Sequence, residues 1–268
     1  MNILVQNPTE AILNGITNVL STLGDTIIIW DNNNIPLNDL LDQYNPDIVF
    51  GYTQTLPNID ICPKSKLVTI GEPAPKTTIT INQTTHTIEP AANPPHKIVT
   101  YDSNYATDIF YYSENTSSED MIYLQYIEQN YQLKVIGQHR IPLTSYLGAG
   151  TTDDINKFMK SCKIALGFTL SSVYDYAINK VFCLTNQKNQ ILHEDSQFAT
   201  LIELDNRLNF LLSDSTDAKE QIIADINNAY EYVISNHTYF HRTHKILTLL
   251  GYTEQAEQCL VKLQQTAQ

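Results

Sequence analysis

Lys163-Ile-Ala-Leu-Gly-Phe-Thr-Leu-Ser-Ser-Val-Tyr-Asp-Tyr-Ala-Ile178 is the stretch whose reading decides the fold of this 268-residue chain. Lys163 to Gly167 is apolar after its lysine, hydroxyl-bearing residues follow at Thr169, Ser171 and Ser172, and Val173 to Ile178 continues as a helix. A strand buried on both faces reads this way, because the crossover helices of a parallel sheet cover both of its sides. Val181 to Thr185 supplies the next strand, so the stretch is a strand, loop, helix and strand in succession.

The same rhythm opens the chain. Strands are expected over Asn2 to Val5, Asp25 to Trp30, Asp47 to Gly51 and Lys66 to Gly71. Between them, apolar residues at Ile12, Leu13, Ile16, Val19, Leu20 and Leu23 share one helical face, and Leu37 to Tyr44 forms a shorter helix. Glu72 to His96 breaks the alternation with Pro73, Pro75, Pro90, Pro94 and Pro95. Its alternating Thr77 to Ile81 and Thr85 to Ile88 predict a hairpin tipped by Asn82-Gln83, either a connector between domains or an edge hairpin on the first sheet. Beyond Lys97, strands are expected at Ile98 to Tyr101, Asp108 to Tyr112, Leu133 to Gly137 and Thr200 to Leu204, with helices at Met121 to Tyr131, Ile155 to Ser161 and from Asp217 through Ile234. The expectation is an α/β protein with parallel sheets, divided into a short N-terminal domain, residues 1–95, and a C-terminal domain, residues 96–268.

Composition narrows the function classes. Lys and Arg number 16 against 29 Asp and Glu, a net charge of −13 that repels phosphate backbones and anionic lipid. Nucleic acid is therefore not expected as a partner. No stretch of about 18 consecutive apolar residues predicts a membrane span, and no secretory signal is visible. Cys62, Cys162, Cys183 and Cys259 are scattered without a Cys-x-x-Cys pair, which fits a reduced, cytoplasmic setting.

Open parallel sheets bind ligands outside the carboxyl ends of their strands. In the second half those positions hold Asp102-Ser103, Ser113-Glu114, Gln138 to Arg140, Phe168 to Ser172 and Asn186 to Lys188. Hydroxyls and free amides at a helix N-terminus form an anion site, and Asp175 could accept two hydroxyl hydrogen bonds from a ribose. Alternatively Ser171 and Ser172 merely cap the helix, and Asp175 complements its dipole from the first turn.

Leu133-Lys-Val-Ile-Gly137, Tyr146-Leu-Gly-Ala-Gly150, Asn156 to Leu166, Val173 to Thr185 and Asn236-His-Thr-Tyr-Phe-His-Arg242 follow one another in an order and spacing that resemble the donor-binding half of GT-B glycosyltransferases. The closest likeness is to the CgeB-like family and to families 1 and 4, and it covers about 115 residues. The resemblance implies two Rossmann-like domains and transfer of a sugar from a nucleotide-sugar donor to a hydroxyl of a glycan or a protein-linked glycan. It implies that Asp175 holds the ribose, that backbone groups of Tyr146 and Leu147 read the base, and that Thr169, Ser171 and Ser172 line the diphosphate. Arg140 and Lys188 are the candidate cations for the departing diphosphate, and a helix at the chain's end crosses between domains. No obligatory cofactor or metal is implied. Two features depart from the family pattern: Ser172 stands where a basic residue is usual, and Asn179 and Lys180 stand where a glycine is usual.

A general base for the acceptor hydroxyl is sought among Glu10, Asp31 and Glu72, of which Glu72 directly follows a strand. Acceptor loops are expected at residues 6–10, 31–36, 52–57 and 71–76. Tyr101, Tyr111 and Tyr112 are candidate sugar platforms. His237, His241 and His244 share a helical face but lack the glutamate of the zinc protease motif. Rival readings are a catalytically inactive GT-B-like nucleotide-sugar sensor or partner subunit of a glycosylation complex, a sugar-nucleotide epimerase, or a periplasmic-type binding protein. A homo-oligomer is a further expectation.

Overall fold

The structure, a computed structural model, describes residues 1–6, 11–30, 36–52, 65–70, 77–81, 84–88, 91–92, 100–113, 116–186 and 196–266. In chain order its elements are β1 (Asn2–Gln6), α1 (Ala11–Thr22), β2 (Thr26–Trp30), α2 (Leu37–Tyr44), β3 (Ile48–Tyr52), β4 (Lys66–Ile70), β5 (Thr77–Ile81) and β6 (Thr84–Ile88). Then come β7 (Thr107–Ser113), α3 (Ser118–Asn130), β8 (Leu133–Gly137), α4 (Thr152–Ser161), β9 (Cys162–Leu166), α5 (Leu170–Ile178) and β10 (Cys183–Leu184). Four helices follow, α6 (Leu201–Leu211), α7 (Thr216–Asn236), α8 (Tyr239–Leu250) and α9 (Thr253–Thr266). They form two compact units, Met1–Asn93 with His237–Gln268, and Pro94–Asn236.

The first unit is built on a six-stranded sheet of order β2-β1-β3-β4-β5-β6. β1 lies inside it, parallel to both β2 and β3, and its Ile3, Leu4 and Val5 are buried. A strand covered on both faces has no polar side to show, which is why its sequence does not alternate. β5 and β6 add an antiparallel hairpin to β4, the edge hairpin that is one of the two expectations for Thr77 to Ile88, so this sheet is mixed rather than parallel throughout. Alternating threonine and isoleucine suit a sheet edge, where one face stays wet.

The last helices belong to this unit rather than to the second, where the sequence reading put them. Ala92 pairs in parallel with Thr238: its amide donates to His237 O at 2.8 Å, and Tyr239 N donates to its carbonyl at 3.0 Å. Lys66 Nζ donates to Leu250 O at 2.6 Å, neutralising carbonyls at the end of α8. Gly15 of α1 lies against the buried Tyr239 ring, and a Cβ there would stand 2.5 Å from Cγ and from Cδ2. Glycine is what permits that approach.

The second unit carries a four-stranded parallel sheet of order β10-β9-β7-β8. Ile109, Phe110 and Tyr111 of β7 are buried at its centre. Its helices start on hydroxyl caps: Ser117 with Asp120 opens α3, Thr151 with Asp154 opens α4, Thr169 with Ser172 opens α5, and Thr200 opens α6. Each cap gives an orphan amide an acceptor. Counted along the chain within each unit, the parallel strands of both sheets are ordered second, first, third, fourth.

The strand expected over Thr200 to Leu204 is instead the start of α6. Leu201, Leu204, Leu208 and Leu211 recur at helical spacing, and Thr200 Oγ1 accepts Glu203 N–H at 3.2 Å, a cap that overrides the β-like look of the first residues. Of the strand expected at Ile98 to Tyr101, Ile98 and Val99 lie outside the described residues. Thr100 and Tyr101 are unpaired in any sheet and lead into a single 3-10 turn, Ser103–Tyr105, capped by Asp102.

Candidate functional site

In an open parallel sheet the strand order reverses at one place, and the loops leaving the carboxyl ends of the two strands there diverge to opposite faces and leave a crevice. In the second unit that place lies between β7 and β9. The loop after β9 begins at Gly167, where a Cβ would meet Cys183 Sγ at 2.8 Å and Val173 Cγ2 at 2.9 Å, so only glycine lets α5 fold down beside β10. Phe168 then turns inward, its ring 5.2 Å from Tyr111 and 6.0 Å from Tyr123, and anchors the loop from below.

Thr169 and Ser172 close a reciprocal cap. Ser172 N–H donates to Thr169 Oγ1 at 3.2 Å, and Thr169 N–H donates to Ser172 Oγ at 3.3 Å. The helix begins at Leu170, three residues earlier than the sequence suggests, because this cap lies one turn upstream of Val173. The amides of Leu170 and Ser171 have no acceptor among the described residues. They are the orphan donors of a helix start, and Ser171 and Asp175 are one turn apart on the same helix face. Asp175, exposed, thereby falls in the second turn, not the first, so complementing the dipole no longer explains it.

Tyr146 and Leu147 extend the opposite edge of the sheet. Val135 N donates to Ser145 O at 3.1 Å, Leu147 N donates to Val135 O at 2.8 Å, and Gly137 N donates to Gly148 O at 3.2 Å, so the segment runs parallel to β8. The Tyr146 amide is engaged with Leu143 O at 3.4 Å, and its hydroxyl donates to Gly137 O at 2.9 Å. Both amides of this pair are therefore occupied, and the carbonyls of Tyr146 and Leu147 are left without a donor among the described residues.

Glu128 was not singled out by the sequence. It lies near the end of α3, and its Oε1 accepts Ser145 N–H at 2.6 Å and Thr144 Oγ1–H at 3.0 Å. Partial burial pushes its pKa up, yet the hydrogen bonds from Ser145 and Thr144 outweigh that and hold the carboxyl below its usual range. No local motif announces a glutamate that acts on a loop 16 and 17 residues further on.

Arg140 is exposed in the loop after β8, at the same carboxyl end of the strands as Thr169 because every strand of this sheet is parallel. β7 separates their strands, β8 and β9, which therefore lie about 10 Å apart in the sheet. Lys188, Glu72, Glu10 and Asp31 lie outside the described residues, as do most of the expected acceptor loops. Tyr111 is a core residue, buried with its hydroxyl 3.3 Å from Thr116 Oγ1, and is no sugar platform. Tyr101 is exposed and Tyr112 half-buried.

His237, His241 and His244 are engaged separately, all in the first unit. His237 Nδ1 lies 3.0 Å from Arg242 Nη2, His241 Nδ1 lies 2.8 Å from Thr238 Oγ1 at the start of α8, and His244 faces Glu257 at 3.7 Å. Among the described residues no three metal-ligating side chains converge. Burial pushes the Cys162 thiol up to about 12 and the Cys183 thiol higher still, so neither is a ready nucleophile. A cavity of about 450 Å³ is lined by Glu203, Asn206, Arg207, Phe210, Leu211 and Gln221 of α6 and α7, and by none of the proposed site residues. No helix among the described residues is long and apolar enough to cross a membrane.

No protein-family model matches this sequence, and a search of curated proteins finds no significant match.

Proposed function

We propose that this chain is a GT-B-like glycosyltransferase of two Rossmann-like domains that moves a sugar from a nucleotide-sugar donor to a hydroxyl acceptor. The observation that carries the reading is the start of α5. At the point of strand reversal, Leu170 and Ser171 present amides unengaged among the described residues, beside the hydroxyls of Thr169 and Ser171, with Asp175 one turn beyond on the same face. Amides and the positive end of a helix suit a diphosphate, and a carboxylate further along suits a ribose diol. The shared strand order of the two sheets and the return of His237–Gln268 to the first unit support the same reading. Arg140, at the same carboxyl end of the sheet, is the cation that would favour departure of the nucleoside diphosphate.

A second reading, a nucleotide-sugar sensor without turnover, is favoured by Ser172. It occupies the position of the family's basic residue, and its hydroxyl is engaged with Thr169. Calorimetric titration with nucleoside diphosphates and nucleotide sugars, followed by a donor-hydrolysis assay, separates the two. Binding with hydrolysis supports the transferase, binding alone supports the sensor, and binding of none of these compounds rejects both.

A further inference from the structure

We infer that Glu128 is a positioning residue that sets which nucleobase the second unit accepts. The inference rests on reading Tyr146 and Leu147 as the base-facing edge. An anion in the last turns of α3 opposes the helix dipole, so its place there needs another cause, and the contacts supply one. Ser145 sends its amide to Glu128 and its carbonyl to Val135, which fixes both sides of one residue and with it the register of the whole segment on β8. In parallel pairing the bridging residue keeps its own amide and carbonyl turned off the shared ladder. With its amide occupied by Leu143, Tyr146 therefore offers one acceptor along that edge. A slip of one residue would replace it with another group and turn every side chain over. Glu128 touches no ligand in this account. It decides which backbone acceptor a base edge meets.

The test titrates ADP, GDP, CDP, UDP and dTDP calorimetrically into the full chain, with inorganic pyrophosphate as a probe of the α5 amides alone. In Glu128→Ala the ratio of affinities between the preferred nucleotide and the next falls about tenfold, while pyrophosphate affinity stays within about twofold. Glu128→Gln, which keeps an acceptor at Oε1, restores the wild-type ratio. Thr144→Val, which removes one of the two donors, shifts the ratio in the same direction by about threefold and decides the matter if Glu128→Ala does not fold. An unchanged ratio in folded variants overturns the inference and leaves the proposed function standing, and so does an equal loss for all five nucleotides and pyrophosphate. A wild type that binds the five alike also overturns it. If the wild type binds none of them, the reading beneath it has failed.

Discussion

Replacing Gly15 by alanine tests whether the returning segment closes the first unit. A new Cβ would stand 2.5 to 2.6 Å from three ring atoms of Tyr239, against about 3.5 to 4.0 Å for an ordinary carbon contact, so roughly 1 Å of displacement is required. Cγ is among those atoms, so relief needs either a χ1 turn that drives the buried ring into its neighbours or a shift of the α8 backbone. Overpacking of this kind costs about 3 kcal/mol, and alanine returns about 1 kcal/mol of helix propensity, leaving a net loss of about 2 kcal/mol. Tyr239→Ala alone loses about 3 to 5 kcal/mol by emptying a buried ring site. In that background the obstacle is gone, and Gly15→Ala should become stabilising by about 1 kcal/mol, a coupling of about 3 kcal/mol. The chain's one tryptophan, Trp30 on β2, lies in the first unit, so its fluorescence during urea unfolding reports on that unit alone. Costs that add to within about 0.5 kcal/mol would refute the close approach.

Three other perturbations follow from the same geometry. Removing residues 237–268 should abolish the cooperative Trp30 transition while a circular-dichroism transition from the second unit persists; an unchanged Trp30 midpoint would contradict the division into units. Asp175→Ala should weaken nucleotide-sugar binding by about 1 to 3 kcal/mol with an unchanged melting temperature, because the residue is exposed, and equal calorimetric affinities for mutant and wild type would remove it from the site. Asp205 is held below the usual carboxylate range by hydrogen bonds from Tyr131, 2.6 Å away, and Tyr126. A depressed carboxylate stabilises above its unfolded pKa of about 3.9 and loses that contribution as pH falls through the folded value. Asp205→Asn should therefore lower the urea midpoint at pH 7 and narrow the gap between mutant and wild type at pH 3, whereas a gap independent of pH would show that the carboxylate charge is irrelevant.

The sheet strands were legible because burial on both faces leaves uninterrupted apolar runs, as in Asn2 to Val5 and Leu133 to Gly137. Helix starts were less so. Thr169 and Ser172 form a reciprocal cap that looks in sequence like loop polarity, which shifted the start of α5 and moved Asp175 by a turn. Thr200 to Leu204 misled for the opposite reason: β-branched residues open an amphipathic helix whose later leucines declare its period. Glu128 and the pairing of Ala92 with Thr238 join residues distant in sequence, and no local pattern encodes such a match. Ser171, Ser172 and Asp175 were visible as a group because one short helix carries all three.

The first unit is interrupted in sequence. Lys66 meets its partner at Leu250 across 184 residues, while Pro94–Asn236 is continuous. During synthesis the later-encoded unit can therefore mature first, with the β1 to β6 sheet waiting, its α1 surface uncovered, until His237–Gln268 emerges from the ribosome. That interval exposes Leu- and Ile-rich surface to chaperones or to neighbouring nascent chains, and makes closure of the first unit a late, long-range docking.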